Sequence, residues 1–271
     1  MNLTRTDGPP PPPAPPTVWL VGAGPGDADL LTRRAVRAIR QATVLLVDDL
    51  VGADVLRFAR RTARIVHVGK RGGCASTPQA FIERLMVAEA LRGERVVRLK
   101  GGDPFLFGRG GEELQALQAH GIPVEVVPGI SAGIAASAAL QCPLTHRDHA
   151  HGVMFLTGHP RPGGAPLDWA ALGGAVAQGV TLVVYMGVAQ ADALQRGLLQ
   201  TLDAATPVAI VQHASLPQQR CAHGRLGELA AVIARERLGS PAIIVVGDVL
   251  RALGALAAPA TIAPLPRQAM G

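Results

Sequence analysis

The sequence is poor in aromatic residues, which occupy 3% of its 271 positions. Single strands of nucleic acid are usually bound on stacked aromatic rings, so we expect no nucleic-acid partner. With few large rings, the interior has to be built mainly from alanine, valine, leucine and isoleucine. Such residues suit parallel strands that are covered by helices. Hydrophobic residues make up 48% and charged residues 17%, an ordinary globular composition.

Cysteine is also scarce. Cys74, Cys142 and Cys221 lie far apart and form no CxxC pair. We therefore expect neither a disulfide framework nor a zinc site, and a reducing, cytoplasmic location. Three histidines fall between residues 146 and 151, but they have no cysteine partner and not the spacing of a zinc site. No bound metal is expected.

Long apolar runs are missing as well. The most apolar stretch, residues 124–140, is interrupted by Glu125, Pro128 and two glycines. The N-terminus lacks the basic start and apolar core of a signal peptide, so we expect neither a leader nor a membrane span. The net charge of +6 suits an acidic substrate, but an arginine-rich composition accounts for it equally well.

Proline marks both ends of the chain, and we expect residues 1–16 and 257–271 to be tails without a core. Between them, apolar runs alternate with helical patterns, which predicts an α/β fold with mostly parallel strands. We expect an N-terminal lobe over 17–148 and a C-terminal lobe over 149–256. The predicted strands are 18–21, 44–47, 65–68, 96–99 and 124–127, then 153–156, 181–184, 208–211 and 242–246.

A glycine-rich loop, Gly22-Ala23-Gly24-Pro25-Gly26-Asp27, follows the first strand. Its spacing is not the G-x-G-x-x-G of dinucleotide-binding loops. Pro25 has no N–H to donate to a phosphate, and Asp27 puts a carboxylate where a phosphate would sit. The loop therefore suits a ligand that is not anionic, such as a sulfonium cofactor. A plain turn with Asp27 as a helix cap is the alternative.

Three further segments follow predicted strands or helices and are rich in glycine, proline or charge. Ligands of open α/β sheets bind at the carboxyl ends of strands, which is where the first two of these segments begin. Phe105 and Phe107 lie in the first of them and contact either a ligand or the core. The segments are Lys100–Glu113, Val127–Gly133 and Pro143–Asp148.

Together with Val68–Arg71, Thr157–His159, Tyr185–Gly187 and Ser240–Ala242, these segments resemble the uroporphyrinogen-III C-methyltransferase family within the tetrapyrrole methylase superfamily. The resemblance runs from about Val18 to Val249. It implies two α/β lobes, each with a mixed, largely parallel sheet flanked by helices, an active site in the cleft between them, and a homodimer. It also implies methylation of uroporphyrinogen III at C2 and C7 by S-adenosylmethionine, giving precorrin-2 and S-adenosylhomocysteine for cobalamin or sirohaem synthesis. Since no dehydrogenase–chelatase region is appended, it implies a monofunctional enzyme.

The resemblance also assigns roles to individual positions. The proton acceptor falls on Asp48 and the proton donor on Lys70, although Lys70 suits holding a substrate carboxylate equally well, and Asp48 is otherwise a plain turn residue. Arg109 and Arg147 are expected to bind substrate carboxylates. The cofactor-binding positions are Pro25, Gly101, Gly102, Asp103, Leu106, Ser131, Ala132, Met186 and Ala214.

At four positions the chain departs from the family pattern. Val47 and His149 replace common tyrosines, Ser131 replaces a usual threonine, and Ala214 replaces a usual glycine. The Cβ of Ala214 either crowds the cofactor or is tolerated beside a backbone contact. Three other functions stay open: a methylase acting on a later corrin, RNA or protein, an NAD(P)-dependent oxidoreductase, and a regulator that binds a tetrapyrrole without turnover.

Overall fold

A computed structural model describes residues 18–69, 77–159 and 163–251. These described residues form two five-stranded sheets, one built from the N-terminal half and the other from the C-terminal half. Helices cover both sheets. In the described part of the chain, no helix has the length and apolar character that crossing a membrane requires.

The first sheet is parallel throughout, with strand order β3-β2-β4-β1-β5. Its central strands are buried on both faces, as their nearly unbroken runs of valine and leucine predict. The strands are β1 (Val18–Gly22), β2 (Val44–Val47), β3 (Arg64–His67), β4 (Val96–Lys100) and β5 (Val124–Val127). Helix α1 (Arg33–Gln41) packs on one face, and α2 (Gln79–Leu91) and α3 (Gly110–Gln118) pack on the other.

The second sheet has the order β6-β7-β10-β8-β9. Its strands are β6 (Gly152–Thr157), β7 (Val180–Tyr185), β8 (Pro207–Gln212), β9 (Arg220–Arg225) and β10 (Ala242–Val246). Strands β6 and β7 are parallel, whereas the other three pairs are antiparallel. Helices α5 (Trp169–Ala177), α6 (Ala191–Leu198) and α7 (Leu229–Arg235) cover its outer face.

Helix α4 (Ala132–Leu140) links the two lobes. It follows β5 of the first sheet, yet its buried Ala135, Ala136 and Leu140 pack on the inner face of the second sheet, against residues such as Val183 and Ile243. Its sequence, AGIAASAAL, consists mostly of small residues, which allow the helix to lie close to the second sheet. Helix α4 therefore contributes part of the core on the inner face of the second sheet, although it follows a strand of the first lobe.

The predicted two-lobed α/β class is confirmed, and all nine predicted strands are present to within about one residue. The expected largely parallel sheet describes the first lobe, but most strand pairs of the second lobe are antiparallel. The sequence analysis missed β9, whose residues RCAHGR have no apolar alternation. Helix α4 starts at Ala132, after Ser131 in an extended conformation.

Candidate functional site

Three glycine-rich loops meet at the carboxyl edge of the first sheet, after β1, β4 and β5. Gly24 and Gly102 form a two-way backbone bridge, with N···O distances of 3.2 and 2.7 Å. A Cβ on Gly22 would lie 2.5 Å from the amide nitrogen of Gly129 and 2.6 Å from the carbonyl oxygen of Gly102. These loops therefore pack backbone against backbone, which only glycine permits.

The loop after β1 also contacts the second lobe. The backbone N–H of Asp27 donates to the hydroxyl of Ser215 at 3.1 Å, and a Cβ on Gly26 would meet the side chain of Leu216. The carboxylate of Asp27 accepts from the N–H of Asp29 and caps a short 3-10 helix. The capping interpretation of Asp27 is thus correct, and its carboxylate occupies the N-terminus that a phosphate would need.

A cavity of about 640 Å³ opens between these loops and the second sheet. This volume lies in the range of small-molecule sites. Its walls combine backbone of the glycine loops with apolar side chains from both lobes. The lining includes the first-lobe residues Gly24, Pro25, Asp48, Leu50, Lys100, Gly101, Gly102, Asp103, Leu106 and Phe107, the interlobe residues Ser131 and Ala132, and the second-lobe residues Tyr185, Met186, His213, Ala214, Leu216 and Pro241.

All nine positions that the family resemblance assigns to the cofactor line this one cavity, and Asp48 lines it with them. Arg109 and Arg147 are both exposed and are not part of the lining. Lys70 lies outside the described residues. The roles of all these residues stay predictions, but the positions predicted for the cofactor share one space.

Asp103 holds two of the converging loops in place. One carboxylate oxygen accepts from the N–H of Phe105 at 2.8 Å, and the other accepts from the N–H of Gly129 at 3.1 Å. The carboxylate thus links the loop after β4 to the loop after β5 while it faces the cavity. Together with Asp48, it places negative charge beside the cavity, which favours a cationic ligand.

A buried ion network lies beneath the cavity. The carboxylate of Glu113 in α3 accepts from Arg98 Nε and Lys100 Nζ, both at 3.0 Å, and from Gln79 Nε2 at 3.3 Å. Arg98 also donates to the Asp48 carboxylate at 3.4 Å and to two backbone carbonyls of the strands. Arg98, Lys100 and Glu113 have at most 3% of their side chains exposed. Arg98 therefore joins the network to the predicted proton acceptor.

Lys100 is the member of this network that reaches the cavity wall. Burial lowers the pKa of its ammonium group, the neighbouring Arg98 charge lowers it further, and Glu113 opposes both effects. The paired lysine places little free positive charge against the cavity. That arrangement is compatible with a cationic ligand next to it.

Tyr185, at the end of β7, is a cavity residue that the sequence analysis did not single out. Its phenol oxygen lies 2.5 Å from the Ser131 hydroxyl and accepts from the N–H of Gly133 at 2.8 Å. Its ring packs on Phe107 with 4.9 Å between the ring centroids. Burial raises the pKa of the phenol, so it stays protonated at neutral pH.

Phe107 and Phe105 have different environments. Phe107 has a left-handed backbone with φ of 55°, and its ring lines the cavity against Tyr185. Phe105 is 54% exposed and does not line the cavity. The expectation that both rings contact either a ligand or the core therefore fits Phe107 alone.

Arg109 is engaged by its neighbour in α3. Its guanidinium donates to both oxygens of Glu112, at 2.9 and 2.5 Å, and these hydrogen bonds raise the pKa of Arg109. Any substrate carboxylate at this position has to compete with Glu112 or share the guanidinium with it. Its backbone is left-handed, with φ of 58°, immediately before α3.

Two signals in the sequence could have revealed the missed residues. Arg98 and Lys100 alternate along a strand that is otherwise apolar, so they lie on one buried face and require a buried carboxylate. Tyr185 is the single tyrosine of the chain and directly follows the predicted strand 181–184 of the second lobe. The partners Glu113 and Ser131 are distant in sequence, so only the fold identifies them.

The chain is similar to proteins of known function. The family model for tetrapyrrole (corrin/porphyrin) methylases matches residues 17–230. The chain is 52% identical over 235 residues to uroporphyrinogen-III C-methyltransferase of Pseudomonas aeruginosa, a match that covers 86% of this chain and 94% of that protein.

Two further similarities extend the comparison. Siroheme synthase of Azotobacter vinelandii is 51% identical over 235 residues, and the match covers 86% of this chain but 50% of that protein. The chain thus spans about half the length of that synthase. The crystal structure of uroporphyrin-III C-methyltransferase from Thermus thermophilus, in complex with S-adenosylhomocysteine, superimposes with a TM-score of 0.73 at 41% identity. That superposition covers 87% of this chain and 93% of the Thermus protein.

Proposed function

The chain belongs to the tetrapyrrole methylase family, and from this premise we propose that it methylates uroporphyrinogen III at C2 and C7 with S-adenosylmethionine. The product is precorrin-2, which serves sirohaem or cobalamin synthesis. The observation that carries the proposal is the single cavity lined by all nine predicted cofactor positions and by Asp48.

The residues of the cavity fit S-adenosylmethionine. The absence of a side chain at Gly101 lets this loop pack closely against Leu50, since a Cβ on Gly101 would lie 2.6 Å from the Leu50 Cβ. Leu50, Leu106 and Met186 offer apolar contact to an adenosine group. The carboxylates of Asp48 and Asp103 suit a positively charged sulfonium group. The pyrophosphate of NAD(P) is negatively charged and does not suit them.

The departure at Ala214 is accommodated in this arrangement. Ala214 is 5% exposed and packs in the inner core of the second sheet. Its position in that core supports a cofactor contact through its backbone, which tolerates a Cβ. This is the second of the two alternatives that the sequence left open.

In the proposed reaction, the bound cofactor supplies a methyl group on a positively charged sulfur. An electron-rich pyrrole carbon takes that methyl group, so the chain needs no nucleophile of its own. The protein contributes alignment, which supplies much of the rate acceleration. Asp48 accepts the proton that the substrate loses, with its carboxylate oriented by Arg98 at 3.4 Å. Arg109 and Arg147, which do not line the cofactor cavity, are proposed to bind substrate carboxylates. Lys70 is proposed either to donate a proton or to hold a substrate carboxylate.

Anaerobic incubation with uroporphyrinogen III and S-adenosylmethionine tests the proposal. We expect a product that has gained two methyl groups, with release of S-adenosylhomocysteine. Asp48→Asn should lower kcat by about 100-fold or more while S-adenosylhomocysteine still binds. Asp192→Asn, an exposed aspartate of α6, is the matched control. Absence of methylated product from the wild-type protein would refute the assignment, and full activity of Asp48→Asn would refute the role of Asp48.

The homodimer and the cytoplasmic location belong to the same proposal. Both come from the family resemblance and the cysteine content. Light scattering coupled to gel filtration measures the mass in solution, and a mass of one chain would contradict the dimer.

Calorimetry with NAD in place of S-adenosylhomocysteine tests the oxidoreductase alternative, for which tight NAD binding is required.

A further inference from the structure

The N-terminus of α4 has an unusual cap. Ser131 occupies the N-cap position, with φ of −72° and ψ of 147°, but its side chain makes no capping hydrogen bond. A serine at this position normally accepts from the N–H two or three residues later. Here the N–H of Gly133 donates to the phenol oxygen of Tyr185 instead, at 2.8 Å. A side chain of the second sheet therefore caps the helix in place of the serine.

The surroundings of Tyr185 are built for this contact. A Cβ on Gly133 would lie 2.4 Å from the phenol oxygen, so the approach requires glycine there. The Tyr185 ring is held between Phe107, at 4.9 Å between ring centroids, and Phe155, at 6.1 Å. With both rings against it, the phenol has little freedom to leave the helix terminus.

The distance of 2.5 Å between the two hydroxyl oxygens allows either one to be the donor, and their chemistry favours Tyr185. The phenol oxygen already accepts from Gly133 and has one proton to give. A phenol is far more acidic than an alkyl hydroxyl and is the better donor. In this direction Tyr185 donates to Ser131. The Ser131 proton has no other acceptor among the residues that the structure describes, and Ser131 lines the cavity.

On the basis of the proposed function, we propose that Tyr185 is a positioning residue for the cofactor. By taking over the helix cap and donating to Ser131, it leaves the Ser131 proton free and directs it into the cavity as a hydrogen-bond donor. The donor meets an acceptor oxygen or ring nitrogen of S-adenosylmethionine. Tyr185 itself acts through Ser131, so its effect falls on cofactor binding and not on the chemical step.

A double-mutant cycle on S-adenosylhomocysteine affinity, measured by titration calorimetry, tests this role. We expect Tyr185→Phe and Ser131→Ala each to weaken binding about tenfold, as loss of one buried hydrogen bond predicts. The double variant should bind within about threefold of either single variant, because both remove the same donor. Ser131→Thr keeps the hydroxyl and should bind within about threefold of the wild type. In turnover, Tyr185→Phe should raise KM for S-adenosylmethionine with kcat retained.

Val232→Ala separates positioning from packing. Val232 is buried in the core on the outer face of the second sheet and does not line the cavity, so the variant should lower the thermal midpoint and leave the affinity unchanged. Additive losses of affinity in the cycle would overturn the inference. An unchanged affinity of Ser131→Ala would also overturn it, and this result can be obtained even if Tyr185→Phe does not fold. Absence of binding to the wild-type protein would refute the proposed function instead. If the wild-type protein binds S-adenosylhomocysteine and Tyr185→Phe binds it equally well, the inference alone is refuted.

Discussion

The ammonium nitrogen of Lys100 lies 3.0 Å from the carboxylate of Glu113, and neither side chain is more than 3% exposed. Because Arg98 uses the same carboxylate, a single glutamate pairs with two buried cations. Burying a charge is costly unless it is paired and hydrogen-bonded. Glu113 is thus the residue on which the burial of both cations depends.

Replacing Glu113 by glutamine should be strongly destabilising. It leaves Lys100 buried without its carboxylate partner and Arg98 with only the Asp48 carboxylate at 3.4 Å, which costs about 3–5 kcal/mol of unfolding free energy. Urea denaturation at neutral pH measures the loss. Glu112→Gln is the control, because Glu112 is the next residue of α3 and its pair with Arg109 is half exposed. That variant should lose less than about 1 kcal/mol. Equal losses in the two variants would contradict the special position of Glu113.

Gly22→Ala should disrupt the convergence of the three loops. The new Cβ meets backbone atoms of Gly129 and Gly102 at about 2.5 Å, and backbone cannot move aside as a flexible side chain can. We expect S-adenosylhomocysteine to bind at least about tenfold more weakly, since a 1 Å displacement of contact groups has effects of this size or larger.

Gly111→Ala is the matched control for Gly22→Ala. Gly111 lies in α3, and a Cβ there meets nothing within 4 Å. Its affinity should be unchanged, and its stability equal or higher by up to about 1 kcal/mol. If Gly22→Ala bound as tightly as Gly111→Ala, the close packing of the loops would be irrelevant to the ligand.

Asp27→Ala distinguishes a helix cap from a ligand contact. Loss of the cap to Asp29 should lower stability by about 1 kcal/mol, and Asp27→Asn should retain most of it. Because the Asp27 side chain does not line the cavity, the affinity for S-adenosylhomocysteine should stay within about twofold for both variants. A tenfold loss of affinity in Asp27→Ala would show that this carboxylate contacts the cofactor.

The single tyrosine makes the titration of Tyr185 directly measurable. Absorbance of the phenolate near 295 nm should give a native midpoint above the ordinary tyrosine value of about 10, since burial raises the pKa of this phenol. Between the unfolded and the native pKa, the unfolded chain has lost the proton and the native chain retains it. Stability should therefore be retained below pH 10 and fall as the pH rises further. A native midpoint at or below 10 would contradict the buried phenol.

Local sequence features predicted much of the fold. Alternation of apolar strands with helical patterns predicted nine of the ten strands, since buried strands and amphipathic helices follow from hydrophobic spacing alone. Strand β9 escaped because an edge strand such as RCAHGR needs no apolar face. The antiparallel pairing of the second sheet escaped because strand direction depends on how connections cross the sheet. That information is not local.

The site was predicted in a different way. Glycine-rich composition drew attention to the loops after the strands, whereas the individual cofactor positions came from the family resemblance, and these positions line one cavity. The partnerships of Glu113 with Lys100 and of Tyr185 with Ser131 were not predicted. The first joins a strand to the following helix, and the second joins residues 54 positions apart in different lobes. Only the packing of the elements brings such groups together.

Helix α4 has a consequence for how the chain can be divided. It is connected to the first sheet by the loop after β5, but its buried residues lie on the second sheet. A cut after β5 keeps every buried residue of the two cores of the first sheet, the last of which is Val127, and leaves α4 with the second sheet. A cut after α4 removes Ala135, Ala136 and Leu140 from the inner core of the second sheet. The structural border between the lobes therefore lies before α4, and a second-lobe fragment has to begin ahead of this helix to keep its core.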